Sequence, residues 1–536
     1  MIMNAQNLRG NAGWEAAGVA LPRYDVSAMI DKTKASPVWA HFGAGNIFRG
    51  FVAALQQRLL NEGRAEKGIV VAETFDYEII DRVYTPFDNL TMNVTLNPDA
   101  TIRCEIIASV AEALKADSGD SARMNRLAEI FTDPGLQLFS LTITEKGYAL
   151  TRADGGRLPV VKADMAEGPE RARHVMSVIT ALLYRRYMAG QRPIAAVSMD
   201  NCSRNGEKLK ESVTDIARAW AANGFVDGGF LDYLADESKV SFPWSMIDKI
   251  TPRPSQAVAD MLAKSGVEEM RLVVTEKNTY TAPFVNAERP QYLVIEDKFP
   301  NGRPALEKAG VYLADRETVN KVERMKVTAC LNPLHTAMSV YGCLLGYTLI
   351  SEEMKDADIV ALIRRLGYVE GLPVVTDPGI LSPRAFIDEV VTERLPNPFM
   401  PDDPRRIATD TSQKVGIRFG ETIKSYLALG RDLDSLTAIP LAIAGWFRYL
   451  LAVDDGGNAM EVSPDPMKDE LQAQLSGVVW NDPASYSGQI RGILANPVIF
   501  GSDLTKTVLA DKIETIFAEE LAGPGAARAV LRRYLA

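Results

Sequence analysis

The sequence predicts an α/β half followed by a mainly α-helical half. Three observations carry that prediction. From Val38 to about Leu141, short β-branched runs (VWAHFG, GIVVAE, LFSLTIT) alternate with helical stretches such as FVAALQQRLLNEG, the rhythm of a parallel sheet with crossover helices. After about Asp315 the extended runs give way to long helical segments. With 536 residues, 47% of them hydrophobic, the chain can bury a large core and fill roughly two or three domains. The boundary is placed so that residues 1–315 form the α/β domain and residues 316–536 the helical one.

Within the first half, IAAVSMDN (194–201) is a further strand that ends in polar residues, and QYLVIEDKF, from Gln291 to Phe299, is a last extended stretch. Ligand groups are expected at such strand ends. In the second half the helical segments are VNKVERMKVTACLNPLHTAMSVYGCLLGY, MKDADIVALIRRLGYVEGL, LTAIPLAIAGWFRYLLA and LADKIETIFAEELAG. Prolines in LPNPFMPDDP (395–404) forbid a continued helix, so a loop is expected there. No repeat, low-complexity tract or long linker interrupts the pattern.

Composition excludes several classes. Cys104, Cys202, Cys330 and Cys343 are scattered without a CxxC pair, against a disulfide framework or structural zinc and in favour of a reducing cytoplasm. No apolar run reaches the roughly 18 residues that span a bilayer, and the first residues lack the apolar core of a signal peptide, so a soluble cytoplasmic protein without membrane contact is expected. The net charge of −10, with both signs interspersed, gives no broad positive face for nucleic acid.

In VWAHFGAGNIFRGF, Gly43 and Gly45 follow an apolar run and precede a helix, where glycine lets the backbone turn tightly and approach a pyrophosphate. Phe48 takes the place of the third glycine of a dinucleotide fingerprint, so this loop by itself is a weak signal. The next strand ends at Glu73, whose carboxylate can accept from the adenosine ribose hydroxyls and repel a 2′-phosphate, favouring NAD over NADP; it can equally be a solvated loop residue. The first half is thus expected to be Rossmann-like, with Gly43, Gly45, Phe48, Arg49 and Glu73 around the cofactor.

The three histidines, His41, His174 and His335, show no metal-ligand spacing, so no metal is expected. His335 lies in ERMKVTACLNPLH three residues after Asn332, a spacing that shares a helix face, and Glu323 and Lys326 repeat it. A lone histidine here is commonly a satisfied core residue and a lone lysine a solvated one. Together they suit oxidation of a carbinol, which needs a base for the hydroxyl proton and donors for the developing oxyanion. Lys326 supplies the base if burial lowers its pKa from the exposed value of about 10.4, and Asn332 and His335 donate to the oxyanion.

These pieces resemble the polyol-specific long-chain dehydrogenases, the family of mannitol 2-dehydrogenase, fructuronate reductase and tagaturonate reductase. The likeness runs through LPRYD (21–25), GAGNIFRG, TITEKGY (142–148), MDN (199–201), SMIDKITPRP (245–254), IEDKFPNGRP (295–304), ERMK with LNPLH (323–335) and RIATDTSQK (406–414). It implies an NAD(H)-dependent, metal-independent oxidoreductase with Lys326 as general acid/base beside Asn332 and His335. It further implies that Asn201 assists the oxyanion, Asp248 lies near cofactor or substrate, Glu323 gates proton exchange with solvent, and Arg394 contacts the substrate, with Lys414 as a second contact. Turn formation and helix capping are the ordinary uses of Asn201 and Asp248.

One spacing departs from the family. Its lysine and asparagine are five steps apart, whereas Lys326 and Asn332 are six. On a regular helix, at about 100° per residue, Lys326 would lie about 120° from Asn332 and opposite His335. Pro333 removes a backbone donor and collides with the carbonyl of Ala329, so a π-bulge or break is expected between Lys326 and Pro333.

The expected protein has its active site in the cleft between the two domains. LNPLHTAMSVYGCLLGY looks most like the fructuronate reductase (mannonate oxidoreductase) branch, and Arg394 with Lys414 can hold a carboxylate or neutral hydroxyls. Mannitol or arabinitol dehydrogenase activity and tagaturonate reduction are the alternatives, with a non-catalytic nucleotide sensor as the rival of another class.

Overall fold

Six apolar runs form one parallel sheet: β1 (Trp39–Phe42), β2 (Ile69–Glu73), β3 (Val110–Lys115), β4 (Leu138–Leu141), β5 (Ile194–Ser198) and β6 (Val240–Ser241). Their order is β3–β2–β1–β4–β5–β6, every neighbouring pair parallel. The chain builds outward from β1 in one direction and then from β4 in the other, so a crevice opens at the carboxyl ends of β1 and β4, where doubly wound folds bind dinucleotides. In this computed structural model all residues but Gly10 are described, the side chains of Arg9, Asn11 and Ser121 excepted.

The central strands are buried on both faces and therefore read as unbroken apolar runs. On one face, Phe42, Val70, Phe139 and Leu141 meet Val178, Ile179 and Leu182 of α2 (Val175–Met188) and Leu209, Val213 and Ile216 of α3 (Asn205–Ala222). On the other, Trp39, Val71, Leu138 and Val197 meet Phe48, Val52, Leu55 and Leu59 on and before α1 (Ala53–Asn61). Adjacent residues serve opposite cores because strand side chains alternate.

Three smaller sheets lie outside the alternation read from the sequence, one of them only the pair Val273–Val274 with Tyr280–Thr281. Val19–Ala20, Ile102–Ile107, Thr91–Leu96 and Phe284–Glu288 form a four-stranded sheet, its hairpin closed by Leu96↔Ile102 pairing. The QYLVIEDKF run supplies Tyr292–Glu296, which pairs with Ser245–Asp248 and Tyr312–Ala314 rather than joining the six-stranded sheet.

The chain divides into Met1–Asn97 with Thr101–Asn320, and Lys321–Ala536 with Pro98–Ala100. The second unit is helical. It contains the second half of α4 (Arg316–Met325), then α5 (Asn332–Leu344), α6 (Thr411–Val415), α7 (Ala438–Leu450) and α8 (Leu509–Glu520). All of α7 is buried, and it packs on α5 and α8. A Cβ at Gly445 would come within 2.7 Å of the Tyr341 ring, so glycine sets how closely α5 and α7 cross. The proline-rich stretch 395–404 is irregular, between a π turn at Val390–Arg394 and a short helix at Pro404–Ile407. Among the described residues no helix is long and apolar enough to cross a membrane.

Candidate active site

A cavity of about 650 Å³ opens at the ends of β1, β2 and β4, lined among others by Gly43, Gly45, Glu73, Asp76, Thr142 and Lys146. Gly43 has φ +102°, and a side chain there would collide with the Thr142 carbonyl. A Cβ on Gly45 would meet nothing within 4 Å. The first glycine therefore makes the turn, and the second keeps the approach to the following helix open. That arrangement fits a dinucleotide pyrophosphate.

Glu73 is 5% exposed and accepts from four backbone N–H groups: Ala44 at 2.8 Å, Thr74 at 3.0 Å, Phe75 at 2.9 Å and Asp76 at 3.2 Å. It staples the glycine loop to the turn after β2 while forming part of the cavity wall, so it is not the solvated loop residue that the sequence left open. Phe48 and Arg49, expected around the cofactor, both turn their side chains into the core. Phe48 is fully buried and stacked on His41 at 4.3 Å, and Arg49 spends its guanidinium on Ala282 O, Asn46 Oδ1 and Thr281 Oγ1, each at 2.7 Å. His41 bridges Ser140 and Thr142 at 2.6 and 2.9 Å, and burial pulls its pKa down to about 3, so it is a neutral core group.

Asp200 is a residue that sequence reasoning passed over. It accepts from Ile143 N at 3.0 Å, Thr144 N at 2.8 Å and the Tyr148 hydroxyl at 2.6 Å, joining the loops after β4 and β5; burial raises its pKa. The MDN and TITEKGY motifs held both ends of this link, but not that they touch. Asn201 follows it in an exposed turn. Asn205 donates to Asp200 O and accepts from Ser245 N, both at 3.0 Å, tying that turn to the strand that ends in buried Asp248. Asp248 is not among the residues around the cavity.

In the helical unit, residues Lys326–Cys330 form a π turn between α4 and α5, with Leu331 N donating to Lys326 O at 3.1 Å. This is the irregularity that the six-step spacing demanded. With one residue absorbed, an ideal-helix count turns His335 from opposite Lys326 to about 80° away. Lys326 is 5% exposed, while Glu323, Asn332 and His335 are half-buried.

His335 Nε2 is buried without a hydrogen-bond partner, with Asp402 Oδ2 at 3.9 Å. Its pKa is pulled down to about 4, chiefly by burial; Asp402 opposes this, and Arg418, Arg406 and Arg394 reinforce it. The imidazole is therefore neutral at pH 7, with one ring nitrogen an N–H donor and the other an acceptor. Arg406 is paired with Asp402. Lys414 donates to the carbonyls of Thr409 and Ile407, and burial followed by Arg418 lowers its pKa. Arg394, buried at the end of its π turn, and Lys414 thus share the charged surroundings of His335. Among the described residues no three His, Cys, Asp or Glu side chains gather as metal ligands.

Comparison with known proteins shows the family. The family model described as the Mannitol dehydrogenase Rossmann domain matches residues 39–308, and that of the Mannitol dehydrogenase C-terminal domain matches residues 318–519. The chain belongs to the mannitol dehydrogenase family, a family of oxidoreductases. It is 52% identical over 535 residues to a D-mannonate oxidoreductase of Thermotoga maritima, covering 99% of this chain and 98% of that one. A mannitol 2-dehydrogenase of Pyrenophora tritici-repentis is 33% identical over 81% of this chain and 73% of its own. Among solved structures, the Pseudomonas fluorescens mannitol 2-dehydrogenase ternary complex with NAD and D-mannitol is 27% identical, with a TM-score of 0.69 over 100% of this chain and 99% of that one. A substrate-free D-sorbitol dehydrogenase, at 24% identity, shares the fold with a TM-score of 0.79 over 98% of this chain and 100% of its own.

Proposed function

We propose that the protein is an NAD(H)-dependent, metal-independent oxidoreductase that interconverts D-mannonate and fructuronate. The 52% identity to a mannonate oxidoreductase over nearly both full chains carries the reading. The glycine loop, with Gly43 turning and Gly45 open to the cavity, holds the pyrophosphate, and bound NAD accepts or returns the hydride. Two carboxylates in the cavity wall, Glu73 and Asp76, disfavour a 2′-phosphate and so NADP.

Lys326 takes the hydroxyl proton as hydride leaves the carbinol carbon and returns it to the carbonyl oxygen in the reverse direction. Asn332 and neutral His335 donate to that oxygen as charge develops on it, assisted by Asn201, while Glu323 exchanges the proton with solvent. Arg394 and Lys414 contact the rest of the substrate, and Asp248 lies close to cofactor or substrate.

The test is loss of NADH absorbance with fructuronate, tagaturonate or fructose. Turnover of fructuronate is expected; turnover of fructose alone would move the protein to the mannitol dehydrogenases, and turnover of tagaturonate alone to its reductase. NADH binding without any turnover would leave a nucleotide sensor. Lys326→Ala should lower kcat by at least about a thousandfold with the NADH Kd within about twofold, because the amine acts on the reacting oxygen. A variant that retains a tenth of the activity would remove Lys326 as the acid/base.

A further inference from the structure

We propose that Arg418 is the residue that selects an anionic substrate, by forming a two-point ion pair with the carboxylate of a sugar acid. This rests on the reading of the active site given above and names the group that makes the site a sugar-acid site.

Three observations carry it. Arg418 lies in a π turn, Gly416–Gly420, as Lys326 and Arg394 lie in theirs, and this turn packs against both the Lys326 turn and α5. A Cβ on Gly416 would stand 2.6 Å from Ile499 O, and one on Gly420 would collide with Phe500 O. The two glycines thus let the turn press onto that backbone and hold Arg418 in place.

Second, the guanidinium donates through Nη1 to Thr336 Oγ1, on the residue after His335, and among the described residues it has no carboxylate partner. Of the cations around it, Arg406 is paired with Asp402, and Lys414 bonds two carbonyls. Third, Arg418 is partly buried, and that burial pulls its pKa down to about 10, as expected of a cation that nothing in the protein neutralises. Such a group is costly beside a neutral ligand and favourable beside an anion. A planar fork with N–H groups to spare matches a carboxylate with two parallel hydrogen bonds, which a hydroxymethyl group cannot reproduce.

The experiment compares wild type, Arg418→Met and Arg418→Lys, measuring kcat and KM for fructuronate and fructose with NADH, and NADH affinity by fluorescence. For Arg418→Met, kcat/KM on fructuronate should fall about a hundredfold or more, mostly through KM, and the preference for fructuronate over fructose should collapse. Arg418→Lys should recover part of that preference, because it keeps the charge and loses the fork. Equal losses on both substrates, or an unchanged fructuronate KM in a variant that binds NADH normally, would overturn the assignment. Failure of the wild type to reduce fructuronate would instead overturn the functional reading on which it rests.

Discussion

Glu73 and Glu353 are both buried glutamates, yet the two regions hold them in opposite ways. Glu73, beside the glycine loop, accepts four backbone N–H bonds. Glu353, in the helical unit, is fully buried with neither oxygen hydrogen-bonded, in space that Gly342 leaves by lacking a side chain. Burial, followed by Asp356 and Asp403, pushes its pKa up to about 9, so it is a neutral acid at physiological pH. Where the chain presents N–H donors, a buried carboxyl organises backbone. Where it presents none, the carboxyl is filler that must shed its charge. Glu370 extends the first case into the helical unit: it accepts from Thr437, Ala438 and Ile439 N at 2.6 to 2.9 Å and caps α7.

Removing a staple should therefore cost more than replacing filler. Glu73→Ala leaves four N–H groups without their acceptor and releases the glycine loop. Unfolding in urea should show a loss of roughly 3–5 kcal/mol, and NADH titration a Kd raised at least about tenfold. An unchanged Kd in a folded variant would mean that Gly43 and its bond to Ala72 O hold the loop unaided. Glu370→Ala should cost somewhat less, roughly 2–3 kcal/mol, because three N–H groups rather than four lose their acceptor. It should leave NADH affinity within about twofold, since α7 carries none of the cavity residues.

The same contrast explains what the sequence made legible. Strands buried on both faces announce themselves as apolar runs, so VWAHFG, GIVVAE, LFSLTIT and IAAVSMDN could be read as one sheet, and Gly43 and Gly45 as its ligand loop. The sheet formed by Thr91–Leu96, Ile102–Ile107 and Phe284–Glu288 could not, because Phe284↔Met92 pairing joins segments nearly two hundred residues apart. Counting steps from Lys326 to Asn332 exposed a misfit that only a wide turn could repair, so the π turn was legible even though its hydrogen bonds were not. Arg418 gave no such signal. It lies four residues beyond Lys414 in a stretch that continues as helix, and only folding brings it to Thr336. The burial of Phe48 and Arg49 was equally illegible: adjacency to the glycine loop says nothing about which way a side chain turns once the helix begins.

Glu353→Gln probes the other side of the comparison, and its sign depends on pH. Below about 4.5, the ordinary glutamate value, folded and unfolded chains both carry the proton, and ionisation costs nothing. Between there and about 9 only the unfolded chain releases it, so the wild type loses stability steadily as pH rises. Glutamine has no proton to release. Its buried amide can lack partners as the acid does, so the variant starts level with the wild type or slightly below it at pH 5. The difference in unfolding free energy should then move in its favour by up to about 1.4 kcal/mol per pH unit towards pH 9. Urea unfolding at pH 5, 7 and 8.5 measures that slope. A difference independent of pH would show that water or a shifted side chain reaches Glu353 and lets it keep its charge.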